Sequence, residues 1–325
     1  MLDEVTGHDT ALALLRSHRT EAHSSYIFHG PDGVGKRYAA IHFFEELCAA
    51  SGITAERHAK LRALIDKNEH QDLHLMEPKG QSYGLEQIQN MIADSMVHPQ
   101  ESGTPYKMYV LDNAGAMTAN AANALLKVLE DGPPRSTFVF VVEDIQTIID
   151  TIRSRSIPVR FSTLDPATVL GVLGRFGSDE EKAKLCANLS GGSIGRGLEF
   201  FRGGDLGHRD TALDLLSTLR RRPYHQVLDI VEKAEKPRLL MYLLRHLLAD
   251  VARLGAGLDD SLANFDKVSE LRDIQTNLGV GTVALAIEEL NGLYARSPLI
   301  KATFPTHLKC SMLKIRRAVR AESHR

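Results

Sequence analysis

Gly30-Pro31-Asp32-Gly33-Val34-Gly35-Lys36-Arg37 follows the apolar run Ser25 to His29 and precedes a helical pattern running from Lys36 to Ala50. The frame G-x-x-x-x-G-K is complete, and a strand before it and a helix after it are the context a phosphate loop needs. Gly30, Gly33 and Gly35 let backbone N–H groups approach phosphate oxygens, Lys36 supplies a point charge, and the helix N-terminus adds its dipole. The position after the lysine departs from the motif. A Ser or Thr hydroxyl there would hold Mg²⁺, and Arg37 cannot ligate a cation.

Working outward, short β-rich runs alternate with helical ones from residue 24 to about 162. Strands are expected at Ser25–His29, Asp72–Glu77, Lys107–Asp112, Thr137–Val142 and Ile157–Phe161. Helices are expected at Lys36–Ala50, Leu85–Val97 and Thr118–Asp131, the last closed by Gly132-Pro133-Pro134. Such alternation implies an α/β domain with a mostly parallel sheet covered on both faces, because parallel strands need crossover connections.

Past Phe161 the β-rich runs stop. Asp165–Gly174, Asp179–Leu189 and Ser193–Arg202 read as three short helices, enough for a small helical lid. Gly203-Gly204-Asp205-Leu206-Gly207 is the best linker candidate. Helices then follow at Thr211–Arg220, Gln226–Ala234, Leu239–Leu254, Val283–Ala295 and Phe304–Ala321. The expected organisation is an α/β phosphate-loop domain over 1–162, a lid over 163–203 and an all-α domain over 208–325.

Composition agrees with folded domains: 325 residues, 43% of them apolar and 25% charged, can bury a real core. With 39 basic and 41 acidic side chains the net charge is −2, so the overall field does not attract nucleic acid. Residues 1–7 lack the features of a secretory signal, and no apolar window is long enough for a membrane span, which leads us to expect a cytoplasmic protein without membrane contact. Cys48, Cys186 and Cys310 are odd in number and far apart, which suits buried free thiols rather than a disulfide framework.

Two further positions bear on catalysis. The strand at 107–112 ends in Asp112, where phosphate-loop ATPases keep a metal-associated aspartate, and the next position, commonly glutamate, is Asn113. An amide cannot take a proton from water, so the general base is missing. After the strand ending at Val142, where a polar residue would sense the terminal phosphate, stand Glu143 and Asp144, which repel a polyanion.

Five stretches occur in the order seen in bacterial clamp-loader subunits. They are the phosphate loop, His70–Pro78, Asn123–Pro134 (Asn-Ala-Leu-Leu-Lys-Val-Leu-Glu-Asp-Gly-Pro-Pro), Thr151–Ser156 (Thr-Ile-Arg-Ser-Arg-Ser) and Gly191–Arg196 (Gly-Gly-Ser-Ile-Gly-Arg). The chain resembles the delta-prime subunits of DNA polymerase III clamp loaders, within the AAA+ superfamily. The motifs cover residues 1 to about 203, and the remainder fits in length and class. The resemblance implies an accessory subunit of the polymerase holoenzyme that is not an ATPase by itself. It would sit in a hetero-pentameric ring with gamma/tau and delta subunits, with C-terminal domains forming a collar, and act on a sliding clamp and primed DNA. The alternative is a catalytically active clamp-loader or AAA+ ATPase subunit. A small-metabolite kinase is disfavoured by the motifs at Asn123–Pro134 and Thr151–Ser156.

By the same resemblance, Arg155 corresponds to the arginine of the family's Ser-Arg-Cys motif, which reaches the ATP of a neighbouring subunit; a surface salt bridge is the competing reading. Arg196 corresponds to the lid arginine, which contacts nucleotide in its own subunit or, where the site is disabled, only docks domains. The degenerate nucleotide site would thus comprise Gly30, Gly33, Gly35, Lys36, Arg37, Asp112, Asn113 and Arg196, with no cofactor required and weak ATP or ADP binding at most. Many relatives carry four zinc-binding cysteines before the second strand. This chain keeps Cys48, and the spacing of His58, His70 and His74 does not suit a metal, so no zinc is expected and a charged helix at Arg57–Lys67 takes that place. Lys309, Lys314, Arg316, Arg317, Arg320 and Arg325 make the C-terminal stretch basic. A solvated or partner-facing last helix is the commoner outcome, and a DNA-contacting tail the other.

Overall fold

The computed structural model describes residues 1–101, 104–132, 135–203, 205–297, 300 and 302–322. Pro133, Pro134, Gly204 and Arg325, which figured in the stop signal, the linker and the basic tail, lie outside them. The chain divides into two compact units, Met1–Val172 with Gly192–Gly195, and Leu173–Gly191 with Arg196–Arg325.

The first unit runs α1 (Asp9–Ser17), β1 (Ser25–His29), α2 (Lys36–Ala50), α3 (Ala55–Asp66), β2 (Leu73–Met76), α4 (Leu85–Ser95), β3 (Lys107–Leu111), α5 (Ala119–Asp131), β4 (Ser136–Val142), α6 (Asp150–Arg153), β5 (Ile157–Arg160) and α7 (Pro166–Leu173). Its five strands form one sheet in the order β2-β3-β4-β1-β5, and every pairing is parallel. The expected α/β class and all five strands are therefore present.

The side chains show why the strands read as unbroken apolar runs. Successive residues of a strand point to opposite faces, and here both faces are covered. Tyr26, Phe28, Met108, Val110, Val139 and Val141 join one core with Leu12 and Leu15 of α1 and Phe43, Phe44 and Leu47 of α2. Ile27, Tyr109, Leu111, Phe138 and Phe140 join the other with Ile88 and Met91 of α4 and Leu125 and Leu129 of α5. Truncating one of the fully buried rings, such as Phe140, to alanine would cost about 3–5 kcal/mol.

The second unit is helical: α8 (Glu180–Leu189), the larger part of α9 (Ile194–Phe201), α10 (Gly207–Thr218), α11 (Tyr224–Glu232), α12 (Pro237–Gly255), α13 (Val268–Leu278), α14 (Val280–Arg296) and α15 (Phe304–Glu322). Long α12 is its axis, packing against α10, α13, α14 and α15 and burying Leu240, Leu244, Leu247, Leu248 and Val251. Its fully buried Asp250 accepts hydrogen bonds from the N–H groups of Ala263 (3.1 Å) and Asn264 (2.8 Å) and from Asn264 Nδ2 (2.7 Å), and pairs with Arg253 (2.6 Å). That satisfied carboxylate ties the irregular stretch before α13 to α12.

Two expectations need correction. Cys48 and Cys186 are buried free thiols, but Cys310 is exposed, because it faces outward on α15. Nor is the last helix simply a solvated basic face: Arg316 is fully buried. Its guanidinium lies 3.8 Å from the centre of the Tyr224 ring, and Nε donates to the Arg222 carbonyl at 2.9 Å. Lys309 pairs with Glu232 at 2.9 Å and Lys314 with Glu289 at 3.0 Å.

Candidate nucleotide-site remnant and arginine of the first unit

The phosphate loop connects β1 to α2, as the motif requires. Its backbone demands glycine for two separate reasons. Gly30 has φ +140°, and a Cβ there would stand 1.9 Å from the Phe161 carbonyl oxygen. At Gly33, φ +71°, a Cβ would meet Ser193 Oγ at 2.3 Å. Gly35, φ +101°, caps α2 in the left-handed region, with open space around it. Residues 192–195 of the Gly191–Arg196 stretch lie on the loop, with Gly195 N–H donating to Gly33 O at 2.8 Å.

Lys36 is buried, with Nζ donating to the carbonyl oxygens of Gly30 (2.6 Å) and Pro31 (2.5 Å). Burial lowers its pKa, opposed by the nearby carboxylates of Asp32, Glu143 and Asp112. Glu143 also shapes the loop through its backbone, since its carbonyl accepts Gly30 N–H at 3.2 Å.

Arg37 sits at the start of α2 with Nη1 2.8 Å from Glu77 Oε1 and 3.6 Å from Asp112 Oδ2. Asp112 is positioned by its N–H, which donates to Met76 O at 2.9 Å, and its Oδ1 accepts Asn113 N–H at 3.0 Å. Asn113 is exposed in the left-handed region at φ +51°, a conformation asparagine tolerates. The structure thus gathers Gly30, Gly33, Gly35, Lys36, Arg37, Asp112 and Asn113 at one end of the sheet. These donors do not suit a divalent cation: residue 37 offers no oxygen, and a guanidinium already faces Asp112.

Arg155 lies two residues past α6. Nη2 is 2.5 Å from Glu130 Oε1, and Nη1 donates to Thr151 O at 2.9 Å. Arg196 belongs to the second unit, its guanidinium 4.3 Å from the centre of the Tyr242 ring and Nη1 donating to Ser190 O at 3.3 Å.

Three participants escaped the sequence reading. His8 Nε2 stands 2.9 Å from the Val34 carbonyl, and Glu77 and Glu130 hold Arg37 and Arg155. Glu77 lies in the His70–Pro78 stretch and Glu130 in Asn123–Pro134, places that could have marked both, whereas His8 lies in none of the motif stretches.

The residues weighed for zinc are dispersed among other partners. The Cys48 thiol is pushed up to about 12, chiefly by burial. His58 faces Glu45 at 3.4 Å, His70 Nδ1 accepts Asp72 N–H at 3.1 Å, and His74 stacks on Tyr109 with ring centres 4.6 Å apart. Among the described residues, the potential ligand atoms that converge are those of Glu4, His42 and Glu45, a group paired with Arg62. The expected charged helix is present as α3.

Residues 9–165 match the family described as "DNA polymerase III, delta subunit". The DNA polymerase III subunit delta′ of Bacillus subtilis is 27% identical over 257 residues, 76% of this chain and 77% of that protein. Over these matches the chain is similar to the bacterial clamp-loader delta-prime subunits. The delta′ subunit of Pseudomonas aeruginosa is 30% identical over 183 residues, 54% of this chain and 55% of that protein. A solved gamma-subunit-related protein of Thermotoga maritima aligns over 96% of this chain and 98% of its own at 16% identity, with a TM-score of 0.46. The phosphate loop and the Thr151–Ser156 stretch both fall inside the matched segment. Among the described residues no helix is long and apolar enough to cross a membrane.

Proposed function

We propose that this clamp-loader subunit does not hydrolyse ATP itself. It works as an end member of a cytoplasmic hetero-pentamer with gamma/tau and delta subunits, helps load a sliding clamp onto primed DNA, and lends Arg155 to the ATP of a neighbour. The observation that carries the reading is Arg37. With its guanidinium 2.8 Å from Glu77 and 3.6 Å from Asp112, a fixed positive charge stands where the reaction needs a metal ligand, and Asn113 leaves the attacking water without a base.

ATP or ADP is held weakly, because Lys36 must exchange two carbonyl partners for phosphate oxygens, and no zinc is required. Arg196, stacked on Tyr242, serves as a docking residue. The parts 1–162, 163–203 and 208–325 act as ATPase-like domain, lid and collar.

The test is phosphate release by the purified chain with Mg²⁺, beside a Lys36→Ala variant. Equal, background rates are expected. Substantial Mg²⁺-dependent turnover that Lys36→Ala abolishes would establish an active ATPase subunit instead.

A further inference from the structure

Arg155 is held from three sides of the first unit. Its carbonyl accepts a hydrogen bond from Ser25 Oγ of β1 at 3.0 Å, and its N–H donates to Ile152 O at 3.1 Å. Ser156 reinforces the same junction, with its Oγ 3.0 Å from Ser25 Oγ. The backbone at 155 is therefore fixed to the sheet. The guanidinium is gripped separately: Thr151 O, on α6, takes Nη1 at 2.9 Å, and Glu130 Oε1, on α5, takes Nη2 at 2.5 Å. A guanidinium has five N–H donors in a rigid plane. These two anchors use one hydrogen on each terminal nitrogen, and Ser154 Oγ at 3.4 Å is a weaker third contact, so the plane is set while Nε–H and a second Nη2 hydrogen keep their donor capacity. Arg155 is 36% exposed and Glu130 51% exposed, so the gripped group stays at the surface, where another chain can reach it.

We infer that Glu130 is the positioning residue of Arg155: it holds the guanidinium in a preset orientation for a phosphate presented by another subunit. This rests on the reading that Arg155 acts in trans. A free arginine side chain samples many rotamers, and ordering it at the moment of contact opposes the contact. A side chain already clamped at both terminal nitrogens meets the phosphate with that ordering done, and small errors in placement are costly in a charge-stabilising role. Glu130 touches no reacting atom in this scheme. Its effect passes through Arg155.

The experiment uses the reconstituted clamp-loader assembly with clamp and primed DNA, measuring ATPase kcat and KM for wild type, Glu130→Ala, Glu130→Gln, Arg155→Ala and Arg155→Ala/Glu130→Ala. Expected are a kcat ~3–10-fold lower for Glu130→Ala with KM for ATP unchanged, partial recovery in Glu130→Gln, which keeps an oxygen acceptor, and no further loss when Glu130→Ala is added to Arg155→Ala. Assembly and thermal midpoint should match wild type, as for other exposed ion pairs. If Arg155→Ala slows the assembly while Glu130→Ala runs at the native rate or faster, Glu130 does not position it. If Glu130→Ala slows the assembly equally with and without Arg155, its effect takes another route and the inference is wrong. If Arg155→Ala itself runs at the native rate, the trans-acting arginine fails first and Glu130 falls with it.

Discussion

Arg37 Nη1 stands 3.6 Å from Asp112 Oδ2, so the residue that replaces the motif's hydroxyl reaches across to the carboxylate that hydroxyl would have partnered through a metal. Both groups are about one-third exposed, at 38% and 37%, so the contact contributes little to folding, about 1 kcal/mol or less.

Replacing this guanidinium should therefore change ligand preference more than stability. Arg37→Thr restores an oxygen ligand and frees Asp112, and ATP binding should gain a dependence on Mg²⁺ of about tenfold, the scale of one charge-assisted contact. Titration of a fluorescent ATP analogue with Mg²⁺ or with EDTA measures it. Phosphate release should stay at background in Arg37→Thr and rise only when Asn113→Glu is added.

Gly30 and Gly35 should respond differently to the same substitution. A methyl group at Gly30 meets a backbone oxygen at 1.9 Å, whereas at Gly35 it meets nothing within 4 Å. Gly35→Ala should cost about 1–2 kcal/mol, the left-handed penalty alone, and Gly30→Ala more than about 3 kcal/mol, since the Phe161 carbonyl cannot rotate away. Urea midpoints of the two variants separate the cases; equal losses would refute the steric account.

Acid should weaken the two units in different pH windows. In α12, burial lowers the His246 pKa from 6.5 to about 4, helped by Arg245, Arg196 and Arg253 against Asp250. A histidine with a depressed folded pKa binds fewer protons folded than unfolded, so its contribution is intact above pH 6.5 and lost as pH falls to about 4, roughly 3 kcal/mol in all. In the first unit burial pushes the Glu45 carboxyl up, but hydrogen bonds from His42 and the Met1 amine and the charge of Arg62 outweigh it and lower the pKa from 4.5 to about 2. That contribution is intact above pH 4.5 and lost on acidification to about 2. Denaturant midpoints against pH should flatten in the upper window for His246→Gln and in the lower for Glu45→Gln.

Arg316 should tolerate loss of charge better than loss of volume. It is buried against Tyr224 and the Arg222 carbonyl, and its Nη1 is without a hydrogen-bond partner. Arg316→Ala removes the packing and leaves the Arg222 carbonyl unsatisfied, at about 2–4 kcal/mol. Arg316→Met fills the volume without a buried charge and should cost less than half as much. Thermal midpoints of the two variants decide it.

The strands were legible because the sheet is buried on both faces, and a run such as residues 136–142 (STFVFVV), buried throughout, can hardly be anything else. Helices with weak start signals were not. The sequence reading passes over α1, which begins after His8 in a left-handed conformation with no side-chain cap, and over α13, which follows Lys267, also without one, though Leu271, Ile274 and Leu278 line its buried face. Within the site, the glycines and Lys36 announce themselves because their spacing is local. The pairings of Arg37 with Glu77 and of Arg155 with Glu130 span 40 and 25 residues, and the burial of Arg316 depends on a turn 94 residues away. Chain folding creates those relationships, and no window of sequence contains them.

The sheet order β2-β3-β4-β1-β5 carries the phosphate loop, Asp112 with Asn113, and Glu143 at the ends of three adjacent strands, beyond the buried residues that hold the strands together. Asn113 and Glu143 are exposed and Arg37 is partly so, and none belongs to either core. Substitution at these three residues leaves the interior untouched, so chemistry can be gained or lost there at almost no cost to folding. Two chains that share this sheet and its buried core are thus free to differ in the chemistry carried at its tips.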